Sequence, residues 1–189
     1  MSNSEMRNKS AAKTSPASTI DMKLEVVVIP VSDVDRAKRF YSDLGWRLDL
    51  DYQAAGDDFR MIQFTPPGSA CSIAFGKNIT AATPGSVQEV LLVVSDIEVA
   101  RDDLIRRGIA VSEPFHDAGG VFHHAGTKGR VNGPNPHRKS YASYISFNDP
   151  DGNGWLLQEV TERLTGHIAA GDTSFTDQLT NAVRRMTAG

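Results

Sequence analysis

The sequence predicts an α+β fold made of two tandem copies of one strand–helix–strand–strand–strand (βαβββ) module. Three observations predict it: an amphipathic helix pattern that occurs twice, capping residues that frame both helices alike, and short β-branched runs around each helix. The copies are in register. Val31-Ser32-Asp33-Val34-Asp35-Arg36-Ala37 returns as Val94-Ser95-Asp96-Ile97-Glu98-Val99-Ala100, with Asp33 and Asp96 standing 63 residues apart. Gly45 and Gly108 keep the same spacing. One helix over one small sheet cannot bury both faces of that sheet, so the two units are expected to pack together.

Each element has a local reason. Leu24 to Val31 is apolar and β-branched, hence a strand, with Pro30 marking an edge or a bulge. Asp33 stands where an N-cap belongs, and Val34, Ala37, Phe40, Tyr41 and Leu44 follow at helical spacing up to Gly45. Three strands are expected next, at Trp46–Tyr52, Phe59–Phe64 and Cys71–Phe75, separated by Gly56-Asp57-Asp58 and Pro66-Pro67-Gly68. The second copy continues with strands at Val111-Ser112, Ser143–Phe147 and Trp155–Val160. Between them lies an insertion, residues 113–139, rich in Gly, His, Asn and Pro. A loop of that length inside a domain often serves function.

The domain is therefore placed at 22–163, with module one over about 22–84 and module two over about 85–163. Residues 1–21, rich in Ser, Ala, Thr, Asn and Lys without periodicity, read as a disordered tail. In the C-terminal tail, 164–189, Ser174 is a candidate cap for a short helix carrying Phe175, Leu179, Val183 and Met186 on one stripe, docked on the domain or on a partner chain.

Composition excludes several classes. Of 189 residues, 40% are hydrophobic and 23% charged, enough for a packed core. The net charge of −3 gives no basic field for nucleic acid, and no apolar run approaches the ~20 residues needed to cross a bilayer. The N-terminus lacks the apolar segment of a secretory signal. Cys71 is the single cysteine, which excludes an internal disulfide and fits a reducing cytoplasm.

Two motifs carry a resemblance. Val31, Asp33, Ala37, Phe40 and Tyr41, together with the late Asp149-Pro150-Asp151-Gly152-Asn153, are similar to the vicinal oxygen chelate superfamily, the glyoxalase, bleomycin-resistance and extradiol-dioxygenase type. The resemblance covers roughly residues 22–162. It implies a glyoxalase-like fold in which both modules form a curved mixed sheet around a cavity. It also implies either a metal-dependent lyase or dioxygenase, or a metal-free protein that binds small molecules. In metal-using members an ion held by His and Glu from both modules chelates two neighbouring substrate oxygens.

The family's ligand positions are largely vacated here. Seven residues before Asp33 stands Val26, which cannot ligate, and seven before Asp96 stands Glu89. Residues 66–88 hold no Asp or Glu. Three residues after Asn153 comes Leu156; Glu159 reaches that face only if a bulge shifts the register. Glu89 is thus the one carboxylate at an expected position and the catalytic candidate, with a surface role as the alternative. No metal or other cofactor is expected.

Ligand-binding candidates are His123, His124 and Arg130 in the insertion, and Trp155 and Gln158 on the last strand. The histidine spacings match no short metal-binding pattern. Lys128, Arg130, Arg138 and Lys139 outnumber Glu113 and Asp117, so the insertion reads either as a mobile lid offering cations to an anionic ligand or as a solvated loop. Trp155 offers either a flat wall to a planar ligand or support for the last strand. The function expected is binding of a small aromatic or anionic molecule in a cavity between the modules. A divalent-metal lyase or dioxygenase is the alternative. Modules of this kind pair within or between chains, so a homodimer is compatible with the sequence.

Overall fold

The structure, a computed structural model, describes residues 20–120 and 122–187. The tail expected to be disordered lies outside the described residues except for Ile20 and Asp21.

Module one runs β1 (Val26–Val28), α1 (Val34–Asp43), β2 (Arg47–Gln53), β3 (Arg60–Thr65) and β4 (Ser72–Lys77). Module two runs β5 (Val90–Val94), α2 (Ile97–Arg106), β6 (Phe115–Asp117), β7 (Arg130–Asn132), β8 (Tyr144–Asn148) and β9 (Gly154–Glu159), and α3 (Asp177–Thr187) closes the chain. Each module has its own mixed sheet, ordered β1-β4-β3-β2 and β5-β9-β8-β6-β7. β1 pairs with β4 and β5 with β9 in parallel; the other pairings are antiparallel.

Both helices start and stop by the same chemistry. Asp33 accepts the Arg36 N–H, and Asp96 accepts those of Glu98 and Val99, answering donors that a first turn leaves unpaired. Gly45 and Gly108 take φ of 73° and 78°, the left-handed conformation that ends a helix without a Cβ penalty.

Alternation along the strands sorts side chains between a helix side and an open side. On the helix side, Tyr41, Trp46, Phe64, Phe75, Phe147 and Trp155 join Ile62, Ile97, Ile145 and Leu157 in one core shared by both modules. Ring contacts cross the boundary: Trp46 and Trp155 meet edge to face at 5.1 Å, and Tyr41 and Trp155 at 6.0 Å. The space between the helix sides is therefore filled by aromatic rings, leaving only an apolar cleft of about 230 Å³ along Leu44, Trp46, Pro66, Pro67 and Leu104.

The recognised turn fastens the modules. Asn153 donates from Nδ2 to the Pro30 carbonyl at 2.9 Å and accepts the Val87 N–H. Asp151 accepts from the Ser32 N–H and from Arg36, and Asp149 from Tyr41. Motif residues distant in sequence thus bond directly to each other.

Four differences from expectation have local causes. Val111 makes only an isolated bridge to Phe147, and β6 takes the place beside β8 that β2 takes beside β3. The insertion is a hairpin, β6–β7, extending the sheet, and not an unstructured loop. Asp49 is extruded by a bulge between Leu48 and Leu50, where Thr65 and Arg47 donate to it. The last helix is capped by Thr176, whose hydroxyl accepts the Leu179 N–H, in place of Ser174. That helix docks on its own chain through Ile168, Phe175, Leu179 and Val183, packed against Tyr141 and Leu164, while Met186 is exposed. Among the described residues, no helix is long and apolar enough to cross a membrane.

Candidate functional site

On the open side of the second sheet, a cavity of about 210 Å³ is lined by Glu89, His123, Arg130, Ser146 and Leu156, among others. Four of the candidates singled out in the sequence, Glu89, His123, Arg130 and Trp155, meet there. The cavity belongs to module two, however, and not to the space between the modules, which the aromatic core occupies.

The floor follows from strand register. Ser146 and Leu156 are cross-strand partners on β8 and β9, as are Asn148 and Gly154. Beside them Phe115, Tyr144 and Leu156 form a small buried cluster. The His123 ring closes over it, edge-on to Tyr144 at 5.2 Å and to Phe115 at 5.9 Å. Burial pushes the Tyr144 phenol up to about 12. So the insertion folds back onto the open face, with one histidine as part of its roof.

Arg130 lies on β7 with its guanidinium carbon 3.9 Å from the centre of the Phe115 ring, a cation–π contact. Its Nε is buried and has no hydrogen-bond partner. The register places Asp117 directly across the ladder. That carboxylate is already engaged: it accepts from His124 Nδ1 at 2.8 Å and from the Gly119 N–H at 2.6 Å. Desolvation raises the Asp117 carboxyl, but these donors outweigh it and hold the group below its ordinary value. His124 is thereby oriented, although its side chain is about half exposed and does not line the cavity. Asp117 is the participant that sequence reasoning missed, because no short-range rule pairs residues seven apart across a loop.

Glu89 sits just before β5 with φ of 58°. The left-handed region is costly for a residue bearing a Cβ. Gly154 makes room for this corner, since a Cβ there would lie 2.7 Å from Gln88 Oε1 and 3.4 Å from the Glu89 nitrogen.

The last strand and the rest of the insertion place the other candidates. Trp155 is 1% exposed, with its ring in the shared core supporting the last strand, and the residue also contributes to the lining of the cavity. Gln158 is buried on the open face, where it donates to the Tyr141 carbonyl and to the Tyr144 hydroxyl. Glu159 faces the helix side, accepting the Ile97 N–H at 3.1 Å and a pair of bonds from Arg138. No register shift brings it to Leu156. Nor is the insertion a free set of cations: Arg138 is bound to Glu98 and Glu159, and Lys139 to the Thr173 carbonyl.

The donor set does not fit the divalent ion of the family's metal-using members. Val26 and Leu156 occupy two of its positions, and the open face of β4 offers Ser72, Ala74 and Gly76. Among the described residues no three His, Cys, Asp or Glu side chains gather closely enough to hold a metal ion.

Comparison with known proteins agrees with this architecture. The family described as Glyoxalase/Bleomycin resistance protein/Dioxygenase superfamily matches residues 23–157. TnmS3, an antibiotic binding protein from Streptomyces sp. CB03234, is 26% identical, over 74% of this chain and 97% of its own, with a TM-score of 0.54. A superfamily member from Sphaerobacter thermophilus is 25% identical over 73% of this chain and 97% of its own, with a TM-score of 0.53. A glyoxalase/bleomycin resistance protein from the same Streptomyces is 26% identical over 72% and 99%, with a TM-score of 0.51. No curated protein matches the chain. With the family matched over most of its length and the paired βαβββ modules in place, the chain belongs to the Glyoxalase/Bleomycin resistance protein/Dioxygenase superfamily.

Proposed function

We propose that this protein binds a small aromatic or anionic molecule in the cavity on the open face of the second sheet, without a divalent ion. One observation carries the reading. The cavity combines an apolar floor at Leu156, an imidazole at His123 and a guanidinium at Arg130, while two of the family's ligand positions hold Val26 and Leu156. Convergent polar groups around a small apolar patch can fix the orientation of a small molecule. The antibiotic-binding activity of TnmS3 supports the same class of function.

The test is calorimetric titration of the full chain with a naphthoate, a planar aromatic anion, in the presence of EDTA. Binding of one equivalent, unchanged by the chelator, is the expected result. A naphthoate that binds only after Mn, Ni or Zn is supplied would overturn the reading. So would turnover of a 2-oxoaldehyde–thiol adduct that depends on those ions.

A further inference from the structure

We infer that this cavity is built for a dipolar ligand, one carrying an anionic group for Arg130 and a protonated amine for Glu89 at opposite ends of a flat body. The inference rests on the binding reading above and sharpens its ligand class.

The sheet order places the two charges at opposite edges. Glu89 immediately precedes β5, one edge strand, and Arg130 lies on β7, the other. Between them β9 and β8 supply the Leu156–Ser146 and Gly154–Asn148 pairs of the floor. Four strand spacings of ~4.8 Å put the edge backbones roughly 19 Å apart. Both side chains are long, and both line the cavity that lies between those edges.

Both charges are unspent. Among the described residues Arg130 makes no ion pair, and its buried Nε has no acceptor. Its neighbour across the ladder, Asp117, is committed to His124 and Gly119. Glu89 likewise has no hydrogen-bond or ion-pair partner among the described residues, yet the backbone holds it at positive φ in the cavity wall. A buried donor left unpaired is costly in the free protein; Glu89 is exposed and stands ready to meet a cation at the cavity wall. The two line one cavity with opposite signs, which a ligand with two complementary ends would match. Each end would gain a charge-assisted hydrogen bond, which a molecule with a single charge makes only once.

Three probes separate the possibilities: para-aminomethylbenzoate, para-toluate and para-methylbenzylamine, titrated calorimetrically into the full chain at neutral pH and low salt. The dipolar probe is expected to bind about tenfold tighter than either single-charge analogue. Glu89→Gln should erase its advantage over para-toluate, and Arg130→Met its advantage over para-methylbenzylamine, with melting temperatures confirming that both variants fold. Should either variant fail to fold, the comparison of the three probes on the unmodified protein still decides. If the dipolar probe binds no tighter than para-toluate, the dipolar inference falls while aromatic-anion binding stands. If neither the three probes nor the naphthoate binds, both fall together.

Discussion

The Tyr41 phenol donates a 2.9 Å hydrogen bond to Asp149 across 108 positions of chain, joining the first module's helix to the turn before the last strand of the second. Burial, with the Asp149 charge beside it, raises the Tyr41 phenol far above its ordinary value, which favours its role as donor. Tyr41→Phe keeps the ring and its contacts with Trp46 and Phe75 but deprives a buried carboxylate of one donor. The expected loss is about 2 kcal/mol, read from urea unfolding as a lower midpoint at an unchanged slope.

Glu89 provides a case where stability and binding should part. At φ of 58° a glycine avoids the penalty carried by a residue with a Cβ. Glu89→Gly is expected to gain roughly 1 kcal/mol in unfolding free energy. The same change should remove the preference for para-aminomethylbenzoate. Loss of stability in the variant would mean that the glutamate side chain contributes contacts beyond those described.

Glu159 is 1% exposed and charged, with Arg138 as its counterion. Removing the arginine leaves a buried carboxylate with only the Ile97 N–H. Arg138→Met should therefore cost about 3 kcal/mol in denaturant unfolding. Arg106→Met, which breaks an exposed pair with Asp103 one turn away, should change stability by no more than about 0.5 kcal/mol.

The Asp117–His124 contact makes an acid-side prediction. Asp117 is held below its ordinary 3.8, so its contribution to stability is complete above that value and fades as pH falls through the folded value. Thermal melts of the protein and of Asp117→Asn should differ at neutral pH and converge as pH falls below about 3.8. A gap that stays constant down the whole range would contradict the assignment of this carboxylate as ionised and hydrogen-bonded.

Much of this was legible along the chain because it depends on near neighbours. An N-cap acts within its own first turn, and a helix-ending glycine answers to its own φ, so Asp33, Asp96, Gly45 and Gly108 could be read as repeated punctuation. The family's motif spacing picked out Val26 and Leu156 as gaps in the ligand set, and the strand register then put both on open faces.

By itself, the sequence determined the duplication and the capped helices, because periodicity and spacing are properties of local backbone geometry, and the family resemblance added the two ligand positions that Val26 and Leu156 leave empty of donors. Only the tertiary structure decided that Trp155 belongs to the core, that Glu159 serves Arg138 and the start of α2, and that Asp117 takes His124 while the Arg130 Nε stays without a hydrogen-bond partner among the described residues. Those outcomes are competitions between groups far apart in the chain for the same buried donors, acceptors and volume. They are settled by which rings fill the space between the modules and which charges the fold leaves facing the cavity.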